Sequence, residues 1–323
     1  FVGTRQGMEA RLAPAAGFPI EWIEIGALKG AGPGRVLRTL AQLPGSVARS
    51  RRILAERRAA AAFSMGGYVA GPPVLAAWLR RVPVVLMEPN AVAGMTNRWM
   101  GRFAARALVS FAETAEQFPE GKAEVCGLPV REEFYRIAPR RPGGMFTVLV
   151  TGGSRGARRL NEAARQCWPL LRGSPAPVRW IHQSGEQDYE SLANEFRASG
   201  LEGEVAAFID DMPAALAAAD LVVCRSGAGA VAELAAAGRP SILVPFPFAA
   251  GGHQLRNAEA MVRAGAARLV ADSELTGRRL CDEILALAAA PGLLERMGRA
   301  ARGLARSRRA RISPSCARSR CPS

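Results

Sequence analysis

Two glycine-rich turns carry the residues that point most directly to chemistry. TGGSRGA (residues 151–157) directly follows a run with strong strand preference, residues 146–150, and RSGAGA (residues 225–230) follows the apolar run 221–224 and enters an Ala-rich helical segment. Small residues let backbone N–H groups approach phosphate oxygens, and a helix N-terminus adds partial positive charge. Two such strand-to-helix junctions predict a site for a sugar nucleotide or a dinucleotide.

Two polar side chains sit where such a ligand would need them. Glu233 lies in the second turn of the Ala-rich segment, where a carboxylate can accept from ribose hydroxyls. The alternative is an ordinary strand–turn–helix unit with Glu233 on a solvated face. Ser154 suits the N-cap of a helix that opens there, and its hydroxyl could equally meet a phosphate.

The elements that position these turns repeat along the whole chain. Short apolar runs alternate with helical segments in both halves, which favours parallel sheets covered on both faces. A helix is expected at 36–58, bent or divided by Pro44, and another at 69–79 with Pro72 and Pro73 in its first turn. The expected strands are 20–24, 59–63, 82–87, 107–109, 123–125, 146–150, 178–183, 205–208, 221–224 and 241–244.

Composition divides the chain into two α/β domains and a tail. We predict an N-terminal domain at 1–138, a Pro- and Gly-containing linker at 139–144, a C-terminal domain at 145–290 and a disordered tail at 291–323. The net charge is +15, and from Arg296 onward there are nine arginines and no acid. The basicity of the remainder fits contact with phosphates or anionic lipid. No apolar run is long enough to span a membrane, and the six cysteines lack metal-ligand spacing.

A series of motifs in colinear order resembles the MurG family of inverting glycosyltransferases. The resemblance covers residues 1–290 and is far more specific than one glycine loop. Its motifs are FVGT (1–4), GALKG (26–30), MGGY (65–68), EPN (88–90), GLPVR (127–131), GGSRGA (152–157), HQSG (182–185), FIDDM (208–212), CRSGA (224–228), PF (245–246) and HQ (253–254).

The resemblance implies a GT-B fold, in which two doubly wound Rossmann-like domains face each other across a cleft. It implies transfer of N-acetylglucosamine from UDP-GlcNAc to the C4 hydroxyl of undecaprenyl-pyrophosphoryl-MurNAc-pentapeptide, which converts lipid I to lipid II in peptidoglycan synthesis. It further implies a peripheral enzyme of the cytoplasmic face of the bacterial plasma membrane, with roles in cell wall biogenesis, cell shape and cell division. No cofactor and no metal are implied.

Carried over by position, the family's donor site falls mainly in the second half of this chain. Ser154 would meet the diphosphate, the backbone of Ile209 would read uracil, and Glu233 would bind the ribose. Gln254 would contact the sugar hydroxyls, while Asn90 and Arg131 would reach the donor from the other domain. The start of the helix would line the nucleotide through Ala228, Gly229, Ala230, Val231 and Ala232.

The chain departs from the family pattern at several positions. Met87, Pro89, Leu128 and Arg155 stand where His, Gln, Asn and Gln are usual. The family's glycine-rich loop, its histidine and its first central strand would lie upstream of Phe1. We therefore expect a fragment with a stable C-terminal domain and a weak N-terminal domain. The catalytic base is not identified; Glu88 is the nearby candidate, and the alternative for Glu88 is a strand-end carboxylate that caps a turn.

Other functions stay open on the sequence alone. The chain could be a GT-B transferase with a soluble acceptor, an inactive sugar-nucleotide binder, or, less in keeping with its sparse aromatic residues, a basic nucleic-acid binder. A lipid-linked acceptor calls for a membrane-facing surface, for which apolar and basic residues near the start of the 36–58 helix are candidates, although a solvated helix would show the same pattern. These residues are Leu28, Lys29, Arg35, Val36, Leu37 and Arg38.

Overall fold

A computed structural model describes residues 1–26, 32–139, 143–154, 156–174 and 177–305 of the chain. The chain forms two compact units, residues 1–126 and residues 127–323. The division falls earlier than the predicted boundary after residue 138, because the helix Glu132–Arg136 packs with the second unit. Of the predicted linker 139–144, residues 140–142 lie outside the described part.

The first unit contains two separate parallel sheets among its described residues. Strands β1 and β2 pair with each other, and β3, β4, β5 and β6 form a four-stranded sheet in that order. The strands are β1 Val2–Gly3, β2 Glu21–Trp22, β3 Ala62–Ser64, β4 Val84–Glu88, β5 Arg106–Val109 and β6 Ala123–Val125. The helices are α1 Glu9–Ala15, α2 Pro33–Glu56, α3 Gly71–Leu79, α4 Met95–Met100 and α5 Ala112–Ala115.

Local sequence explains the main elements of the first unit. The apolar run of β4 is buried along almost its whole length, as expected for a parallel strand covered on both faces. Pro72 lies in the first turn of α3, where its missing N–H costs no hydrogen bond. Pro44 does not divide α2, which is continuous from Pro33 to Glu56. The predicted alternation of strands and helices is therefore confirmed here.

The second unit is built on one six-stranded parallel sheet of order β12-β11-β10-β7-β8-β9. Its strands are β7 Phe146–Thr151, β8 Val178–Gln183, β9 Glu202–Ala206, β10 Leu221–Cys224, β11 Ser241–Leu243 and β12 Ala267–Leu269. Its helices are α6 Glu132–Arg136, α7 Arg158–Arg172, α8 Tyr189–Ser199, α9 Met212–Ala218, α10 Ala228–Ala237, α11 His253–Arg263, α12 Gly277–Ala288 and α13 Pro291–Leu304. The α/β class, with parallel strands alternating with helices, is as predicted.

Strand order in the second unit creates a switch point between β7 and β10. From β7 the chain moves to β8 and β9 on one side, and from β10 it moves to β11 and β12 on the other. Loops that leave neighbouring strands in opposite directions open a crevice at the carboxyl ends of those strands, and doubly wound sheets bind ligands there. The two glycine-rich turns of the sequence follow β7 and β10.

The structure corrects the prediction of a disordered segment from residue 291. Residues 291–304 form α13, with Pro291 in the first turn and Met297 and Ala301 buried. The segment is rich in arginine, which led to the prediction of disorder. Its few apolar residues nevertheless share one face, so it forms an amphipathic helix. Residues 306–323 lie outside the described part. Strand β12 was also absent from the prediction, since Arg268 interrupts its short apolar run.

Arginines in the second unit satisfy carbonyl groups at helix ends. Arg302 of α13 donates to the carbonyl oxygens of Ala237 and Tyr135, at 3.2 and 3.0 Å, and also to those of Ala236 and Ile137. The last carbonyls of a helix lack intrahelical partners and carry partial negative charge, so a guanidinium there is favourable. Arg302 therefore holds α13 and the end of α6 against the carboxyl end of α10.

Candidate nucleotide-binding site

The candidate site lies along the carboxyl ends of adjacent strands in the second unit. Cross-strand pairing aligns Leu243, Cys224, Thr151, Gln183 and Ala206 in one row across β11, β10, β7, β8 and β9. Each loop that follows this row begins at the same edge of the sheet. The register therefore brings together the turns at 152–157, 184–188, 207–211, 225–227 and 244–254, which the sequence separates widely.

The turn after β7 can exist only with glycine at key positions. Gly156 has φ +72°, and a Cβ there would lie 2.0 Å from the carbonyl oxygen of Ser184. A Cβ on Gly152 would lie 2.3 Å from the amide nitrogen of Ala157. The backbone is consequently packed tightly beneath an exposed surface, and Ser154 lies on that surface.

The prediction that a helix opens at Ser154 is wrong. Helix α7 begins at Arg158, and its N-cap residue Ala157 has no capping side chain. Gly153 and Gly156 have positive φ and belong to a tight turn, so the helix starts only after this turn. The hydroxyl of Ser154 is therefore not needed as an N-cap, and its proposed contact with phosphate stays a prediction.

The N-terminus of α10 presents backbone amides at the neighbouring strand end. Gly227 is its N-cap and offers no side-chain cap, and the first bond of the helix is Val231 N–H to Gly227 O at 3.0 Å. The amides of Ala228, Gly229 and Ala230 precede that bond. Such amides and the helix dipole together favour an anionic ligand. Val231 is buried and Ala232 is half-buried on the same helix.

Glu233 is half-buried on α10, and Arg131 acts on it electrostatically. Burial raises the pKa of the Glu233 carboxyl, whereas the positive charge of Arg131 lowers it. Arg131 is exposed at the N-cap of α6, with its guanidinium carbon 5.1 Å from the ring centre of Phe134. The structure thus places two predicted donor-site residues, 131 and 233, in electrostatic contact within the second unit.

The backbone of Ile209 is held by a buried glutamine. The N–H of Ile209 donates to Oε1 of Gln183 at 2.9 Å, and Nε2 of Gln183 donates to Oγ1 of Thr151 at 3.2 Å. The same Thr151 oxygen accepts from the N–H of Gly153 at 3.1 Å. One side chain therefore joins the loop after β9 to the glycine turn after β7.

The loop after β11 carries Gln254 and is tied to the end of β10. The side-chain Oε1 of Gln254 accepts from the N–H of Phe246 at 2.9 Å, and the backbone carbonyl oxygen of Gln254 accepts from Ser226 Oγ at 2.8 Å. Arg225 donates to the carbonyl oxygens of Val244 and Pro245 at 3.1 and 3.3 Å. The predicted sugar-contacting residue thus sits on a loop that the CRSGA segment holds in place.

Arg225 also forms a largely buried ion pair. Its Nη1 lies 2.5 Å from Oδ1 of Asp272, with the two side chains 13% and 18% exposed. The guanidinium carbon lies 5.6 Å from the ring centre of Phe246. Arg225 therefore contacts both the segment that follows β12, through Asp272, and the loop after β11.

In the first unit, Glu88 and Asn90 belong to one hydrogen-bonded turn after β4. Glu88 is buried, and Oε1 accepts from the N–H and the side-chain amide of Asn90, both at 3.0 Å. Its Oε2 accepts from Gly94 N–H and Asn97 Nδ2, both at 2.9 Å. Four donors occupy the carboxylate, which is the geometry of the alternative interpretation, a strand-end carboxylate that caps a turn.

His182 is a buried structural residue rather than a surface base. Its Nε2 lies 3.0 Å from Oδ1 of Asn161, whose Nδ2 donates to Ser184 O and Asp188 Oδ2 at 2.9 and 2.8 Å. Burial lowers the pKa of His182 to about 3, so the ring is neutral at physiological pH. Within the described ranges, no group of three or more His, Cys, Asp and Glu side chains could hold a metal ion.

Sequence reasoning missed the residues that support the site. Gln183 and Arg225 stood inside recognised motifs, but neither received a role, because their partners lie on other strands. Asn161 lay in a helical segment without any motif. The available signal for Gln183 and Arg225 was position: they lie at or directly after the carboxyl ends of apolar strands, where an unpaired polar group would be costly.

Comparison with known proteins agrees with this geometry. A model of the glycosyltransferase family 28 C-terminal domain matches residues 147–313, and a model of the family 28 N-terminal domain matches residues 1–109. The crevice at the β7–β10 switch point, with its two glycine-rich turns, lies within the first of these matches. Fold and site together define a glycosyltransferase of the GT-B class.

Individual relatives narrow this class. A protein of Solibacter usitatus named UDP-N-acetylglucosamine--N-acetylmuramyl-(pentapeptide) pyrophosphoryl-undecaprenol N-acetylglucosamine transferase is 58% identical over 306 residues, which are 95% of this chain and 83% of the relative. A protein of the same name from an Anaeromyxobacter species is 44% identical over 93% of this chain and 79% of its own length. The crystal structure of Acinetobacter baumannii MurG has a TM-score of 0.82 at 32% identity, covering 94% of this chain and 86% of that one. The chain belongs to the MurG family.

Likeness to more distant structures extends only to the fold. The calicheamicin glycosyltransferase CalG4 has a TM-score of 0.68 at 17% identity, covering 99% of this chain and 91% of that one. Among helices of the described residues, none combines the length and apolar character needed to cross a bilayer.

Proposed function

We propose that this chain transfers N-acetylglucosamine from UDP-GlcNAc to the C4 hydroxyl of undecaprenyl-pyrophosphoryl-MurNAc-pentapeptide, with inversion at the anomeric carbon. The observation that carries the proposal is the pair of glycine-rich turns at the β7–β10 switch point, with Glu233 one helical turn beyond the second. These features fit a nucleotide with a diphosphate and a ribose. The names of the relatives supply the sugar and the acceptor.

Most of the predicted donor-site residues have a proposed role that fits their surroundings. The amides at 228–230 and the hydroxyl of Ser154 bind the diphosphate, and Ala232 and Val231 shape the wall beside it. Glu233 accepts from the ribose hydroxyls. The backbone of Ile209 contacts the uracil, and Gln254 contacts the hydroxyls of the sugar. Asn90 and Arg131 are assigned to the donor by their family positions alone.

Displacement at the anomeric carbon leaves a negative charge on UDP, which the protein must stabilise. Preorganised backbone amides aimed at a developing charge perform this in a site that excludes water, and they need no reorganisation during the reaction. The N-terminus of α10 supplies such amides without a competing cap from Gly227. The guanidinium of Arg131 adds positive charge near Glu233. These groups account for leaving-group stabilisation by the protein's own residues.

The acceptor hydroxyl must lose its proton during the transfer. Glu88 is the candidate base in this chain, but accepting that proton would require its carboxylate to give up part of a network of four donors. We therefore assign Glu88 to shaping the turn that carries Asn90. The base is left unassigned.

We further propose that the chain works as a peripheral protein on the cytoplasmic face of the plasma membrane, in cell wall synthesis that supports cell shape and division. Helix α2 exposes Leu37 and Leu40 to 71% and 51%, with Arg38 exposed between them. Apolar and basic groups together favour an anionic bilayer surface. Leu28, Lys29 and the side chain of Arg35 lie outside the described part of the chain.

A transfer assay tests the function directly. The full chain is incubated with radiolabelled UDP-GlcNAc and a water-soluble polyprenyl-pyrophosphoryl-MurNAc-pentapeptide analogue, and the product is separated chromatographically. We expect transfer of the label to this acceptor, with UDP-GlcNAc preferred over UDP-GalNAc and UDP-glucose. The matched control omits the lipid pyrophosphate and offers free MurNAc-pentapeptide.

Each result of this assay points to a distinct conclusion. Transfer to the free muramyl peptide at an equal rate would replace the proposal with a transferase for a soluble acceptor. Tight binding of UDP-GlcNAc in calorimetry, without transfer to either acceptor, would make the chain a sugar-nucleotide binder. Absence of donor binding would overturn the assignment of the switch-point crevice.

A further inference from the structure

The hydrogen-bonded bridge through Gln183 connects two loops that have different tasks in the proposed function. The glycine turn after β7 is assigned to the diphosphate, and the loop after β9, through Ile209, is assigned to the base. Gln183 is buried at the end of β8, between the ends of β7 and β9. The side-chain amide of Gln183 bonds to Thr151 in the first of these loops and to Ile209 in the second.

The orientation of the Gln183 amide follows from its partners. The backbone N–H of Ile209 can only donate, so the atom that faces it at 2.9 Å must be the carbonyl oxygen Oε1. Nε2 then faces Oγ1 of Thr151 at 3.2 Å and donates to it. That hydroxyl oxygen also accepts from Gly153 N–H. Ile209 therefore donates to Gln183 and Gln183 donates to Thr151, whose hydroxyl oxygen accepts from both Gln183 and Gly153.

The bridge determines which backbone group of Ile209 is left for a ligand. Because Gln183 takes the N–H, the carbonyl oxygen of Ile209 is the group that can face a base edge, and it can only accept. Uracil carries a hydrogen on N3 and can donate to it. Cytosine has a lone pair at N3, which a carbonyl oxygen repels.

We propose that Gln183 is a positioning residue that sets the preference of the site for uracil over cytosine nucleotides. It does so by occupying the N–H of Ile209 and by fixing the base loop at a constant distance from the phosphate turn. This inference rests on the proposed function, in which Ile209 contacts the base.

Removal of the bridge should affect both loops. A released Ile209 N–H offers a donor that cytosine N3 can accept, and the untethered loop no longer holds the carbonyl toward uracil N3. Discrimination between bases should therefore fall, which a general loss of folded protein would not produce.

The experiment compares UDP and CDP binding by isothermal titration calorimetry on the full chain. Gln183→Met keeps the length of the side chain but cannot form either bond. We expect its affinity for UDP to fall about 10-fold, since two buried hydrogen bonds are lost, while its affinity for CDP changes little. Gln183→Glu should keep most of the preference, because a carboxyl oxygen can still accept from Ile209 and Thr151 Oγ1 can donate to the other.

Two controls separate positioning from general destabilisation. Gln166→Met removes a comparable amide bridge in the same unit, from α7 to Gly277 N–H at 3.2 Å, and should leave the ratio of UDP to CDP affinity unchanged. Thr151→Val removes the acceptor of Gln183 Nε2 and of Gly153 N–H but keeps the bond from Ile209 N–H to Gln183, so it should produce a smaller fall in that ratio. It also serves if Gln183→Met does not fold, as judged by circular dichroism.

The outcomes distinguish this inference from the function on which it rests. If the wild-type chain binds no UDP, the proposed function fails. If the wild-type chain binds UDP, but Gln183→Met and Thr151→Val both keep the wild-type ratio of UDP to CDP affinity, only the role of Gln183 is overturned. In enzyme assays, Gln183→Met should raise KM for UDP-GlcNAc more than it lowers kcat.

Discussion

At the scale of single residues, Glu233 combines a binding role with a cost to stability. Its carboxyl is half-buried, and the desolvation that raises its pKa is only partly offset by Arg131. A carboxyl with a raised pKa in the folded state stabilises the fold most below its unfolded pKa, and this contribution is lost as the pH rises through the folded pKa. At neutral pH the ionised Glu233 carboxylate therefore destabilises the unliganded protein. A bound ribose would donate hydrogen bonds to this carboxylate.

We predict that Glu233→Gln stabilises the unliganded protein at pH 7 and weakens its binding of UDP. The thermal midpoint should rise at pH 7, and the difference from wild type should vanish near pH 4, where both forms are neutral. Affinity for UDP should fall about 10- to 100-fold, the value of a hydrogen bond to a charged group. Scanning calorimetry and titration calorimetry measure the two effects.

A surface carboxylate provides the control for Glu233. Glu259→Gln removes an ion pair with Arg256 at 3.0 Å on α11. It should change neither the thermal midpoint nor the affinity for UDP by much. A lower thermal midpoint at pH 7 for Glu233→Gln, or unchanged UDP affinity, would contradict the prediction.

His182 gives the second unit a defined sensitivity to acid. Its pKa is about 3 in the folded state, against an ordinary 6.5, because the ring is fully buried. Only the unfolded chain takes up the proton, so stability is fully present above pH 6.5 and falls as the pH drops toward 3. We predict a loss of about 1.6 kcal/mol between pH 6.5 and pH 5 from this group.

Urea unfolding of two proteins at both pH values isolates this effect. In His182→Gln the amide can still donate to Oδ1 of Asn161, but it does not titrate. The variant should lose less stability than wild type over the same interval. Equal losses in the two proteins would show that other groups cause the acid sensitivity.

At the scale of elements, the end of β10 holds the loop after β11. Arg225 bonds to two carbonyls of that loop and pairs with Asp272 after β12, while Ser226 bonds to Gln254. None of these contacts is local in sequence. They form because β10, β11 and β12 are adjacent in the sheet, so that their carboxyl ends meet.

We predict that Arg225→Met weakens UDP-GlcNAc binding more than UDP binding. The loop that carries Gln254 would lose two hydrogen bonds, whereas the amides of α10 would stay in place. The variant should also lose about 3 kcal/mol of stability, because Asp272 keeps a largely buried, unpaired charge. Chemical unfolding and titration with both ligands test the two parts.

A double variant separates charge from loop position. Arg225→Met with Asp272→Asn removes both charges and should regain much of the stability, but not the affinity for the sugar. The exposed pair of Arg278 and Asp282 gives the control, since Arg278→Met should alter neither the stability nor the affinity for UDP-GlcNAc. Full recovery of sugar affinity in the double variant would argue against a role in positioning the loop.

At the scale of the whole molecule, the two units are built differently. The second has one continuous six-stranded sheet with a large buried core on it, including Trp168 and Trp180. The described residues of the first unit form a two-stranded and a four-stranded sheet, and a smaller core packs on the latter. A smaller apolar core and an isolated two-stranded sheet lower local stability.

We predict two unfolding transitions, with the first unit opening at the lower temperature. A ligand stabilises only the unit that it binds, by about 2.7 kcal/mol at a concentration 100 times its Kd. UDP, whose assigned contacts lie mainly in the second unit, should therefore shift the upper transition more than the lower one. Hydrogen-exchange mass spectrometry during heating assigns each transition; a single transition in which both units exchange together would refute this prediction.

Much of the fold could be predicted from the sequence, for reasons that concern local chemistry. The run Leu221–Cys224 is apolar at every position, is too short for a helix and precedes a glycine-rich turn, which favours a buried strand. The glycines at 152, 153 and 156 required a turn at 151–157, because a Cβ at two of them would meet backbone atoms. The helix of Ala228–Ala237 followed from its alanines. Where the period was short or diluted by arginine, as in β12 and α13, prediction failed.

What the sequence determined by itself was the class of most elements and the two glycine-rich turns, since these depend on neighbours within about ten residues. It also determined the family, because many short motifs follow one another in the family's order along the chain. What only the tertiary structure decided was the use of buried polar groups. Gln183, Arg225 and Asn161 have partners on other strands and loops, and Glu88 is committed to its own turn by four donors at once. Hydrogen bonding over such distances depends on sheet order and register, which no local pattern specifies.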